Sequence, residues 1–198
     1  MAGPAARKPA NIVEQHPARR STFVDRTLLY LFSYDVEVER DAQTVGFFPG
    51  GVRFNMLAHR NKSRAYNVMR DRTVAGVGVP AISGELDWGT DWSYWREDDI
   101  EFSHVRMTIT TDEGDTIYGS YPAVVYLGLG GFRRLVSEKD KIGTEDKPVV
   151  ARFVTTPRFQ TSSAPYLWLN DLQCVGFGRL QLIRSEFRRI SYDVYGLT

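Results

Sequence analysis

The stretch that decides the fold is IEFSHVRMTITT (Ile100–Thr111), Asp112-Glu113-Gly114-Asp115, then TIYGSYPAVVYLG (Thr116–Gly128). The first run alternates: Ser103, Val105, Met107 and Ile109 share one side, while Phe102, His104, Arg106, Thr108 and Thr110 share the other. A period of two is the signature of a strand with one buried face. A short Asp/Gly-rich link followed at once by a second β-rich run reads as a hairpin with a tight turn at Glu113-Gly114.

The same grammar recurs along the rest of the chain. Leu28–Glu39, Thr44–Phe48, Val52–His59, Val149–Thr156, Tyr166–Ile183 and Phe187–Leu197 read as extended segments. Thr73–Leu86 reads as a strand interrupted at Pro80 by a bulge or bend. Pro49-Gly50-Gly51 and the polar Asn61–Arg64 punctuate them. Helical periodicity is nearly absent, and Phe132–Lys139 is the best short helix candidate. Eight or nine short strands without a fixed-period repeat predict an all-β domain, a sandwich or a barrel.

Composition limits function. The chain has 198 residues, 25 Lys+Arg against 24 Asp+Glu, and a net charge of +1. That length fits one domain with a real core, here residues 27–198. Residues 1–26 are basic and rich in Pro and Ala, and read as a solvated tail without the apolar stretch of a secretory signal. A neutral chain gives no warrant for a nucleic-acid partner. No apolar run approaches the ~18 residues of a membrane helix. Cys174 is the single cysteine, so no intrachain disulfide forms and a cytoplasmic location is expected. Cys174 itself sits in an apolar run and reads as a buried, inert thiol. His16, His59 and His104 stand far apart, and no metal or cofactor motif is present, so neither is expected.

Two stretches are richer than a plain barrel requires. Gly84–Trp95 packs Trp88, Trp92, Tyr94 and Trp95 among Glu85, Asp87 and Asp91. It reads either as a pocket mouth, with aromatic walls and carboxylates that move protons, or as a loop folded over one barrel end. Phe153–Thr161 and Ala164–Asn170 carry Arg158, Gln160, Trp168 and Asn170. Arg158 suits a bidentate clamp on an anion or a structural salt bridge. Histidine is the side chain suited to acid–base work near physiological pH; His104 meets solvent in a packed barrel and lines the cavity in a ligand-binding one.

From about Ser83 to Leu197 the chain resembles the DUF3237 (UPF0311) family. The matching pieces are Gly84-Glu85-Leu86, Asp91-Trp92, Thr111–Gly114, Ile117-Tyr118, Thr155–Phe159, Tyr166-x-Trp168-Leu169-Asn170, Val175-Gly176-x-Gly178 and Tyr192-x-Val194-Tyr195. The resemblance implies one closed antiparallel β-barrel of about eight strands, similar to the allene-oxide-cyclase and dirigent-like barrels. It brings no settled activity, but related barrels cyclise or isomerise reactive intermediates without a cofactor. The chain departs from the family at His104, where an Asp is usual, and at Gln160, where a Glu is usual.

The expectation is therefore an isomerase, cyclase or lyase acting on a small hydrophobic, aromatic or polyketide-like molecule inside the barrel. His104 is its expected base, Asp91 and Tyr118 its proton partners, and Arg106 or Arg158 the stabiliser of an anionic intermediate. Glu85, Trp92, Tyr94, Arg158, Gln160, Trp168 and Asn170 are the expected substrate contacts. The alternatives are a non-catalytic carrier or sensor with the same pocket, and a solidly packed interaction module. Pairing as a homodimer is expected for an apolar outer patch.

Overall fold

The computed structural model describes residues 28–39, 43–67, 72–74, 77–137 and 141–197. The basic tail with His16, and residues 68–71, lie outside the described residues. The strands are β1 (Leu28–Glu37), β2 (Gln43–Phe48), β3 (Gly51–Leu57), β4 (Arg64–Tyr66), β5 (Arg72–Val74), β6 (Val77–Val79), β7 (Gly84–Arg96), β8 (Ile100–Thr111), β9 (Thr116–Tyr126), β10 (Val149–Thr155), β11 (Arg158–Gln160), β12 (Cys174–Ile183) and β13 (Glu186–Leu197).

Eight of them close a ring. β1 pairs with β13, and the order continues β12, β10, β9, β8, β7 and β4 before returning to β1, all antiparallel. Closure removes the exposed edges of an open sheet. The expected all-β barrel is the observed fold. The 100–128 hairpin is present from Ile100↔Tyr126 to Thr110↔Thr116, with Gly114 at φ +91° in the turn.

The ring is complete but uneven beside β7. The lower part of β7 meets the short β4, through Gly84 and Glu85. Its upper part meets β3 instead, from Leu57↔Thr90 to Gly51↔Arg96, and β2 lies outside β3. Between β3 and β1 the described contact is the single bridge Val38↔Ala58. At this end α1 (Gly131–Val136) packs against Val38, Met56 and Trp95 through Phe132 and Leu135. Asp99, in the β7–β8 turn, holds the helix there by accepting the Gly130 and Phe132 N–H groups at 2.7 and 3.0 Å. At the opposite end, the 3-10 turn Ala164–Leu169 inserts Tyr166 and Leu169 beside Phe32, Phe159 and Ile82.

Four local expectations need correction. Gly84–Trp95 is part of the 13-residue strand β7, with a bulge between Leu86 and Trp88, and is not a loop. Its glycines and aspartates imitate turn composition, but neighbours on both edges supply the pairing that overrides propensity. Thr73–Leu86 is a small β5–β6 hairpin followed by Pro80–Ser83 and the start of β7. The start of Tyr166–Ile183 is helical, initiated by Pro165. The short helix spans Gly131–Val136; Lys139 lies outside the described residues.

Candidate functional site

Side-chain alternation assigns each strand an inner row. On β8 that row is Glu101, Ser103, Val105, Met107 and Ile109. On β9 it includes Tyr121, and on β13 Tyr192. On β7, beyond the bulge, Asp91, Ser93 and Trp95 turn inward. The register Asp91↔Val105 and Trp95↔Glu101 then sets two carboxyl groups on adjacent strands inside the barrel.

Glu101 is 2% exposed. One of its oxygens, Oε1, accepts from Ser93 Oγ at 2.9 Å and from Ser103 Oγ at 3.0 Å. The other, Oε2, has no partner of regular geometry among the described residues, and the Trp95 indole lies against the carboxyl group. Asp91 Oδ1 accepts the backbone N–H of His104 at 3.1 Å, and the same two serines lie against its carboxyl group. The serines thus bridge the two acids. Burial pushes Asp91 up to about 6. Burial, and then the Asp91 charge, pushes Glu101 up to about 7. Two such groups titrate as a pair that shares a proton near neutrality.

Three tyrosines complete the polar interior. Tyr34 stacks on Tyr192 with ring centroids 4.4 Å apart, and Tyr121 meets Tyr192 edge-on at 5.5 Å. Burial raises all three phenols well above their ordinary value, so they are neutral donors at pH 7.

Asp91, Tyr121 and Tyr192 border a cavity of about 30 Å³, with Val36, Val105 and Met107 among its walls. It holds a water-sized group. Val38 and Met56 separate it from a second space of about 150 Å³ walled by Phe54, Trp95, Leu135 and Phe187. Val38 and Glu39 in turn border a polar vestibule of about 610 Å³ lined by His59, Lys62, Arg188 and Arg189 among others. All three spaces meet at Val38, where β1 and β3 part.

Of the residues expected from sequence to form the site, Asp91 alone lines this interior. His104 and Arg106 are exposed on the outer side of β8, so the position of His104 as an internal base is corrected; it reaches Asp91 through its main chain. Glu85, Trp92 and Tyr94 stand on the outer side of β7. Tyr94 donates to Pro49 O at 3.2 Å and carries the Arg53 guanidinium over its ring, holding the β2–β3 hairpin. Tyr118 and Gln160 are register partners on the outside of β9 and β11, and Arg158 lies opposite Ser120 on the same face. Trp168 is half-buried in the 3-10 turn and donates to Pro165 O, while Asn170 clamps Thr161 through both its N–H and C=O. Glu85, Trp92, Tyr94, His104, Arg106, Tyr118, Arg158 and Gln160 share the outer side of the paired strands β7, β8, β9 and β11 rather than lining the cavity, while Trp168 and Asn170 belong to the 3-10 turn and its end.

Sequence reasoning missed Glu101, Tyr121 and Tyr192. The signal was parity: Glu101 heads the alternating row of Ser103, Val105, Met107 and Ile109. Cys174 is buried and its thiol is pushed up to about 12 by burial, as expected of an inert cysteine. Among the described residues no three His, Cys, Asp or Glu side chains form a metal-ligand group, and no helix is long and apolar enough to cross a membrane.

The family model for a protein of unknown function, DUF3237, matches residues 27–197. No curated protein matches the chain. Among solved structures, a conserved protein of unknown function from Rhodopseudomonas palustris is 20% identical, with a TM-score of 0.67 over 89% of this chain and 100% of that one. A β-barrel-like protein from Acinetobacter baumannii is 19% identical, with a TM-score of 0.65 over 90% and 100%. An enzyme from Penicillium herquei is 14% identical, with a TM-score of 0.56 over 90% and 98%. At these identities the likeness is one of fold.

Proposed function

This chain belongs to the DUF3237 family, and on that footing we propose that it is an isomerase, cyclase or lyase that moves protons with Asp91 and Glu101 on a small, largely apolar substrate. The observation that carries this reading is the buried acid pair. Two carboxyl groups inside an apolar barrel cost stability, and displaced titration of this kind concentrates at functional sites. A pair sharing one proton offers a general acid and a general base side by side at neutral pH. Neutral Tyr121 and Tyr192 are placed to donate to an oxygen that gains charge. The fold likeness to a Penicillium herquei enzyme is in keeping with catalysis on this scaffold.

The substrate ring occupies the 150 Å³ space, a volume of the order that admits a benzene-sized molecule. Met56, unbranched and flexible, is the wall whose displacement joins this space to the cavity at Asp91. The barrel excludes water and holds the substrate in a reactive conformation.

The test incubates the protein with small-molecule extract of the producing cells and follows masses that are conserved or reduced by one water. Asp91→Asn and Glu101→Gln are expected to slow conversion by roughly 10²–10⁴-fold, the usual contribution of a positioned acid or base. His104→Ala is expected to stay within about twofold of wild type, because its side chain points outward. Wild-type rates in both acid variants, or loss of activity in His104→Ala alone, would sink the assignment. A ligand that co-purifies without turnover would establish the carrier reading instead.

A further inference from the structure

We propose that the substrate is an aromatic carboxylic acid whose carboxylate is held at the barrel mouth by Arg188. This rests on the reading above that a ring fills the 150 Å³ space. It adds a recognition group that lies outside the acid pair.

Arg188 follows the inward row of β13, two residues before Ile190 and four before Tyr192, and its carbonyl accepts the Val38 N–H at 3.1 Å. It therefore stands at Val38, where the apolar space and the vestibule adjoin. Its side chain is 20% exposed. The guanidinium meets Glu186 at 2.6 Å, leaving Nε–H buried with no partner among the described residues. A buried N–H on a permanent cation calls for an acceptor, and guanidinium presents paired donors that match a carboxylate. Glu186 lines the apolar space and Arg188 the vestibule, so the ion pair straddles the junction. A ring seated against Trp95 and Phe187 would extend a short acidic arm to it.

The other charges at the mouth leave this role to Arg188. Glu37 is bound by Lys62 at 3.0 Å and lies in register with Arg189. Glu39 and Glu145 are exposed, where water and salt screen them, and His59 turns Nδ1 to the Arg60 carbonyl. A largely buried guanidinium with an unpartnered N–H is a recognition element suited to an anion.

The experiment titrates wild-type protein with phenylacetate and with phenylacetamide, its neutral near-isostere, at pH 8 and low salt. The amide reports the ring site alone. Phenylacetate is expected to bind at least tenfold more tightly than the amide. Arg188→Gln is expected to remove that preference while leaving amide binding unchanged. Glu186→Gln, which frees Arg188 from its competitor, is expected to tighten phenylacetate binding severalfold, and keeps the test valid if Arg188→Gln does not fold. Equal binding of the two probes by wild type, a preference that survives Arg188→Gln, or weaker acid binding in Glu186→Gln would overturn the carboxylate assignment while the ring site stands. Failure of both probes to bind would overturn the ring site together with it.

Discussion

At the scale of the residue, the chemistry depends on which way each side chain faces. Asp91 and His104 are close in space, yet one is inside the barrel and the other outside, joined by the main-chain bond from His104 N–H to Asp91 Oδ1. An Asn at position 91 keeps a carbonyl acceptor for that N–H but neither takes up nor releases a proton. Asp91→Asn therefore separates acid–base function from structure, and its circular dichroism spectrum is expected to match wild type while turnover falls. The serines carry a finer prediction. Each hydroxyl donates to Glu101 Oε1, fixing which oxygen holds charge. The double change Ser93→Ala with Ser103→Ala removes both donors to the ionised form. Glu101, the higher of the pair and so its acid, is then expected to titrate higher still, moving the alkaline limb of a pH–rate profile upward. An unchanged limb would show that the serines do not set the proton's position.

At the scale of the element, close approach of backbones decides where strands can run. Gly84 opens β7 at the point where β4 and β8 both pair with it. A Cβ there would lie 2.1 Å from the Thr110 carbonyl oxygen, which is backbone and cannot swing away. Gly84→Ala is expected to lower stability by about 1–3 kcal/mol, the usual cost of overpacking, read as a reduced midpoint in urea. A midpoint equal to wild type would mean that the strands part without cost. The 100–128 hairpin was legible because its alternation and its turn agree. β7 was not, because Gly84, Gly89 and three acidic residues look like a loop until neighbouring strands pair with them. The bulge between Leu86 and Trp88 also shifts the period, so a fixed alternation carried through the strand assigns half of it to the wrong face.

At the scale of the whole molecule, the barrel sets a pH dependence of its own. The folded-state values of Asp91 and Glu101 lie above their ordinary carboxylate values, so the native state binds more protons than the unfolded chain between about pH 4 and 7. Their contribution to stability is present below that window and is lost as pH rises through it, by a few kcal/mol at about 1.4 kcal/mol per unit. Thermal melts are expected to show this fall in wild type and a flatter profile in the double change Asp91→Asn with Glu101→Gln. A profile that rises over the same window in wild type relative to the double variant would contradict the buried pair. Strand content, the central hairpin, the family resemblance and the inert Cys174 are legible along the chain, because alternation, turn chemistry and local apolarity are properties of neighbouring residues. Which face is inside is fixed by the folded barrel. The β7–β8 register past the bulge sets Asp91 beside Glu101, ring closure brings Tyr34, Tyr121 and Tyr192 together from three strands, and strand parity in the closed barrel sends His104, Arg106, Tyr118 and Arg158 outward. Those assignments depend on register, on one bulge and on pairings between residues far apart in the chain, which no local pattern contains.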